Sequence, residues 1–174
     1  MGIGIQICGL NGCGKSTLGR ALAERMNFHF IDIENLYFSR TDTDDPYTNP
    51  KSRTEVERLL AEEVNKHPDF VLSAVKGDYG KHIIPMYNYV VVIEVPKEVR
   101  SQRVRNRSYQ KFGNRILMGG DLHNHEEAFF QMVDSRREDY IADWLLKVNC
   151  PIIRVDGTKT IEENVEHILQ LIYR

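Results

Sequence analysis

Residues 9–16 read Gly9-Leu10-Asn11-Gly12-Cys13-Gly14-Lys15-Ser16, and this stretch decides the fold. It matches G-x-x-x-x-G-K-[ST], the phosphate-binding P-loop. The context fits the mechanism. Ile3, Ile5 and Ile7 give an apolar strand pattern just before it, and Leu18, Leu22 and Met26 share one helical face just after it, with Ala21 beside them. The glycines let backbone N–H groups turn inward as a nest for phosphate oxygens, and the helix behind them adds its positive N-terminal end. Gly9, Asn11, Gly12, Cys13, Gly14, Lys15, Ser16 and Thr17 are therefore expected to hold a nucleoside triphosphate. In that arrangement Lys15 reaches the β- and γ-phosphates and the Ser16 hydroxyl ligates Mg²⁺.

Working outward, strand and helix patterns alternate along all 174 residues, as expected for one α/β domain. Phe28 to Ile33, Phe70 to Val75, Tyr89 to Val95 and Ile152 to Val155 read as further buried strands. Continuous apolar strands separated by helices imply five parallel strands with helices on both faces. Helices are expected over about 52–66, after Pro96, over about 126–148 and from about Thr160. Ser52 with Glu55, and Thr160 with Glu163, have capping-box spacing. Two segments exceed the plain pattern, 35–67 and 108–125. Ligands in open α/β sheets bind at the carboxyl ends of strands, so both insertions are expected to overhang the P-loop, the first as an acceptor-binding region and the second as a lid. Within the first, the polar residues 39–52 with Pro46 and Pro50 read as a loop.

Composition excludes several classes. The net charge of -2 provides no global field for nucleic acid or an anionic membrane. No apolar run approaches membrane-span length, and the N-terminus enters a strand directly, without a signal-peptide pattern. The three cysteines, Cys8, Cys13 and Cys150, form neither a C-x-x-C site nor a disulfide framework, which suits a reducing cytoplasm. Either a monomer or a homodimer fits a chain of this size.

Candidate chemistry clusters at strand ends. Asp32 and Glu34 follow the second strand; a carboxylate there positions Mg²⁺ or an acceptor hydroxyl, with helix capping as the plainer alternative. Lys76, Gly77 and Asp78 follow the third strand in a tight turn expected to face the acceptor. From Val99 to Gly120 six cations (Arg100, Arg103, Arg105, Arg107, Lys111 and Arg115) occur without an acid. Such a cluster reads as a clamp on a transferring phosphoryl group, with Gly113, Gly119 and Gly120 as lid hinges. Arg136 and Arg137 add cations beyond the lid. Asp121, His123, His125 and Glu126 read as polar residues opening a helix rather than as a metal site. Cys13, inside the nest, is a small filler or a thiol activated by oriented N–H groups.

With these residues in place, the chain resembles the small P-loop kinases of the nucleoside-monophosphate, shikimate and gluconate kinase group, over nearly its whole length. Asp32-x-Glu34 is similar to the D-x-D of shikimate kinases, and Ser73-Ala74-Val75-Lys76 to the S-A-L-K of gluconate kinases. Arg103 and Arg107 match the paired arginines that enter the lid of adenylate-type kinases, and Arg136 with Tyr140 is similar to the R-x-x-x-Y after the shikimate kinase lid. Val155 to Lys159, including Gly157 and Thr158, resembles the segment that surrounds adenine. The resemblance implies a three-layer P-loop NTPase fold with strand order 2-3-1-4-5. It implies ATP and Mg²⁺ as cofactors, Ser16 and Asp32 as metal residues, and Lys15, Asp32, Arg107, Arg115 and Arg136 as catalytic residues. It also implies a small-molecule acceptor held by Asp32, Glu34, Lys76, Gly77, Asp78 and Arg136. A regulatory ATPase and a nucleic-acid end kinase are the rival readings. A GTPase base-reading N-K-x-D motif does not occur.

Overall fold

A computed structural model describes residues 2–38 and 49–174. Five strands form one parallel sheet: β1 (Gly4–Cys8), β2 (His29–Asp32), β3 (Phe70–Ser73), β4 (Tyr87–Glu94) and β5 (Ile152–Asp156). Their order is β2-β3-β1-β4-β5, so β1, which leads into the P-loop, lies at the centre. All five residues of β1 are buried. One face of the sheet packs on α1 (Lys15–Met26) and α7 (Ile161–Ile172), burying Ile5, Ile7, Leu18, Leu22, Val91 and Ile168. The other packs on α3 (Arg53–Lys66) and α6 (Ala142–Leu145), burying Val56, Leu60, Leu72, Val92, Trp144 and Leu145.

The remaining helices are α2 (Ile33–Tyr37), α4 (Lys97–Phe112) and α5 (His123–Ser135). Their ends follow local chemistry. Ser52 Oγ accepts the Glu55 N–H at 3.2 Å, and Thr160 and Glu163 cap α7 reciprocally. The expected acceptor segment thus comprises α2, a connection through residues 39–48 that lies outside the described residues, and α3. The loop expected at 39–52 falls largely there.

The structure corrects two expectations, for the helix at 126–148 and for the fifth strand. The helix read over 126–148 is two helices, because the chain turns extended at Arg136 (ψ 124°) and regains helix only at Ala142. The segment 108–125, expected as a lid, opens with the last turn of α4, which continues through Phe112 and is ended by Gly113 at φ 58°. Val104, Ile116, Phe130 and Val133 form a small separate core between α4, α5 and the chain that joins them. Finally, β5 is only half-buried. It is the sheet edge, so Ile153 and Val155 face α7 while Ile152, Arg154 and Asp156 are exposed.

Candidate active site

The P-loop closes on β1 in the conformation its glycines permit. Gly12 (φ 84°) and Gly14 (φ 95°) lie in the left-handed region, and Gly14 caps α1 without a side chain. A Cβ on Gly12 would lie 2.4 Å from the Arg100 carbonyl oxygen, so bulk as well as φ requires glycine there. Lys15 Nζ sits 3.5 Å from the Leu10 carbonyl, folded along the loop it would leave to meet phosphate. Cys13 is buried, with its Sγ under Gly9, which favours the filler reading over the reactive thiol. Ser16 Oγ lies 3.4 Å from Ser73 Oγ at the end of β3.

Asp32 ends β2 and caps α2: its Oδ1 accepts the Glu34 N–H at 3.1 Å. The plainer capping role is therefore real, and one carboxylate oxygen is engaged by it. Glu34, on the first turn of α2, lines a cleft of about 180 Å³ with Asn11, Gly12, Gly14, Lys15, Ser16, Thr17, Arg103 and Arg107.

The cationic stretch divides by function of partner. Arg100 is buried, donates to the Val95 carbonyl at 3.0 Å and pairs with Glu138. Arg105 pairs with Asp134 at 2.9 Å. Arg115, expected over the phosphates, instead holds Asp121 through Nε and Nη2 at 2.7–3.2 Å inside the lid. This ion pair holds the Asp121 carboxyl below its usual range. That acid lies one residue past the acid-free stretch. Only Arg103 and Arg107 line the P-loop cleft. Arg103 donates both Nη atoms to the Gly157 carbonyl at 3.1 Å. That loop is pinned in turn, since Thr158 donates its N–H and hydroxyl to Asp156 Oδ1 at 2.8 and 2.6 Å.

Across the loop, Arg136 Nη1 donates to Asn11 Oδ1 at 2.6 Å. Its guanidinium lies 4.7 Å from the centre of the Tyr140 ring, and Lys76 Nζ lies 3.9 Å from the same ring. Lys76, Arg136 and Tyr140 line a hollow of about 710 Å³. Asp78 pairs with Arg53 of α3 at 3.4 Å, joining the acceptor-side segment to the turn after β3. Gly77 is not on the cleft: it is buried against Trp144 and Gln6, and its carbonyl accepts the Tyr87 hydroxyl at 3.0 Å. Also on α3, Arg58 pairs with Glu55 and Glu62 along the helix surface; Arg40 lies outside the described residues.

Two contacts escape sequence reading. Ser73 is a polar end to an apolar strand beside β1, which was the available signal for its approach to Ser16. The Asn11–Arg136 bond joins residues 125 apart, with no local signature. A larger hollow of about 950 Å³ lies between β4, β5 and α6. Its charged lining residues include the pairs Arg100–Glu138 and Arg154–Glu94, and of the P-loop only Gly9 and Leu10 line it, whereas Lys15 and Ser16 line the smaller cleft, which is the better candidate for chemistry.

The donors near Ser16 suit magnesium. Ser73 lies 3.4 Å from Ser16 and stands in register with Asp32 of β2, and these hydroxyl and carboxylate oxygens are hard ligands of the type Mg²⁺ selects. A sequence model of the AAA domain family matches residues 5–131. An uncharacterized protein of Bacillus subtilis, YqaC, is 25% identical over 173 residues, spanning 95% of this chain and 94% of that protein. An adenylate kinase isoenzyme 6 homolog of Caenorhabditis elegans is 28% identical over 173 residues, spanning 96% and 87%. Among solved structures, a gluconokinase from Sinorhizobium meliloti superposes with a TM-score of 0.60 at 17% identity, covering 98% of this chain and 95% of that one. The nest, the strand order and these matches agree: the chain belongs to the AAA domain family and has the fold of the small P-loop kinases.

Proposed function

We propose that this protein is an ATP-dependent kinase that transfers the γ-phosphoryl group to a small anionic acceptor: a nucleoside monophosphate, a sugar acid or a shikimate-like compound. One observation carries the reading. Lys15, Ser16, Arg103 and Arg107 converge on one cleft, while Arg136 bonds Asn11 of the same loop and lines a second hollow. Kinase names among the similar proteins support the same class.

In this reading Gly9 and Asn11 to Thr17 bind the triphosphate, with backbone N–H groups directed at its oxygens. Ser16 and Asp32 hold Mg²⁺, with Ser73 beside Ser16; bound there, the ion neutralises phosphate charge. Lys15 leaves the Leu10 carbonyl for the phosphates. Arg103, with Gly157 and Thr158, borders the base. Arg107 and Arg136 stabilise charge on the transferring group from two sides. Glu34 and Asp32 face the acceptor hydroxyl, and either carboxylate can accept its proton. Lys76 and Arg136 flank Tyr140 and attract the acceptor's anionic group, while Asp78 ties this turn to α3 through Arg53. Arg115 acts within the lid through Asp121 rather than on phosphate. The gain comes from positioning and charge stabilisation in a water-poor cleft.

No described helix is long and apolar enough to cross a membrane. The three cysteines are free, which suits a cytoplasmic enzyme. Internal pairing of Arg100, Arg105 and Arg115 counts against a nucleic-acid end kinase. The test is ADP release with ATP and Mg²⁺ across nucleoside monophosphates, sugar acids, shikimate and a 5′-hydroxyl oligonucleotide. Acceptor-stimulated release that Lys15→Ala abolishes supports the proposal. Near-normal turnover in Lys15→Ala refutes the phosphate assignment, and binding without any stimulated release favours a regulatory ATPase.

A further inference from the structure

At the far end of β2 from the cleft, three donors of metal-ligand type meet. His29 opens β2, while Glu63 and His67 stand four apart at the end of α3 and so share one side of it. His29 Nε2 lies 2.9 Å from Glu63 Oε2. The His29 and His67 rings stack at 3.9 Å between centres with an interplanar angle of 18°. One ligand atom from each of the three residues lies within 4.8 Å of the other two.

We propose that His29, Glu63 and His67 form a binding site for a divalent transition metal of the zinc type. The set is two imidazoles and one carboxylate, which suits Zn²⁺ and its first-row neighbours and disfavours Mg²⁺. Imidazole lone pairs lie in the ring plane, so the stacked rings do not both aim at one ion as they stand, and binding requires His67, exposed at the end of α3, to turn out of the stack. Zinc bonds of about 2.0–2.2 Å require donors roughly 3.4 Å apart. His29 and Glu63, at 2.9 Å, would open slightly to that spacing, while His67 would close to it from within 4.8 Å by side-chain rotation. The open side faces solvent and completes the shell with water. The ion would fasten the end of α3 to the start of β2, at the amino ends of the strands, whereas the proposed chemistry lies at their carboxyl ends. The site is thus independent of the kinase reading.

The test is a Co²⁺ titration of the full chain without a polyhistidine tag, in excess Mg²⁺ to occupy oxygen-only sites, followed by visible absorption and by thermal melting with Zn²⁺. The expected result is one equivalent of Co²⁺ with a ligand-field band. Affinity should fall at least about tenfold in His67→Ala and in His29→Ala and be kept in His125→Ala. Zn²⁺ should raise the melting temperature of the wild type and not of His67→Ala. His67 is exposed, so its variant should fold and melt like the metal-free wild type. Absence of stoichiometric Co²⁺ uptake, or uptake that survives both His29→Ala and His67→Ala, overturns the site.

Discussion

Replacing Gly157 with alanine tests how closely the base-side loop and the P-loop are packed. The added Cβ would lie 2.4 Å from Val95 Cγ2, 2.5 Å from Ile93 Cγ2 and 3.0 Å from the Cys13 carbonyl oxygen. Ordinary carbon contacts begin near 3.5 Å, so two neighbours are about 1 Å too close, and the third is P-loop backbone. Val95 and Ile93 are buried in the sheet core, so relief requires the 156–158 loop to move outward. Overpacking of this kind costs about 1–3 kcal/mol. At about 2–4 °C per kcal/mol for a chain of this size, the melting temperature should drop by roughly 3–10 °C. Moving the loop also displaces the Gly157 carbonyl that receives both Arg103 Nη atoms. ATP affinity should therefore weaken, by about tenfold if 1.4 kcal/mol is lost there. Differential scanning fluorimetry and ATP titration measure the two effects. Gly113→Ala is the control: its φ is 58° but nothing lies within 4 Å of its Cβ position, so it carries backbone strain without collision. The packing argument fails if Gly157→Ala melts within about 1 °C of the wild type, or if Gly113→Ala weakens ATP binding as much.

Ser73→Ala should lower kcat and raise the Mg²⁺ requirement about tenfold, with ATP affinity measured without metal unchanged; Mg²⁺ dependence of ADP release checks it. Arg100→Met removes a buried guanidinium that joins Val95 to Glu138, and should cost about 1–3 kcal/mol in urea unfolding. Burial pushes the Cys8 thiol up to about 12. The unfolded chain sheds this proton near pH 9 while the folded chain keeps it, so stability should fall as pH rises from about 9 to 12. Urea midpoints across that range should decline less in Cys8→Ala than in the wild type.

The P-loop was legible because its chemistry dictates residue type at fixed spacing: positive φ at Gly12 and Gly14, a cation at Lys15 and a hydroxyl at Ser16. The alternation of strands and helices was legible because burial on both faces leaves continuous apolar runs. Strand order came through the family resemblance rather than from local pattern. What escaped depends on contacts distant in sequence. The chain leaves helical geometry at Arg136, whose guanidinium meets Asn11 and Tyr140, and no helical periodicity records that. Arg115 looked like a phosphate ligand because its acid, Asp121, lies just outside the cationic run. Gly77 looked like a cleft residue because a turn glycine and a packing glycine read alike. It is the Trp144 ring that distinguishes them.

That ring has a further consequence. Trp144 is the only tryptophan in the chain. It is buried against Gly77, one residue from Lys76 and Asp78, and its indole N–H has no hydrogen-bond partner among the described residues. Indole emission shifts with local polarity and hydrogen bonding, so this side chain is an intrinsic fluorophore placed beneath the turn proposed to face the acceptor. An acceptor that draws Lys76 off Tyr140 will move the turn over the indole and change its emission, whereas nucleotide on the P-loop alone should change it less. Stopped-flow fluorescence of the unmodified protein can then time acceptor arrival separately from ATP binding, without a label.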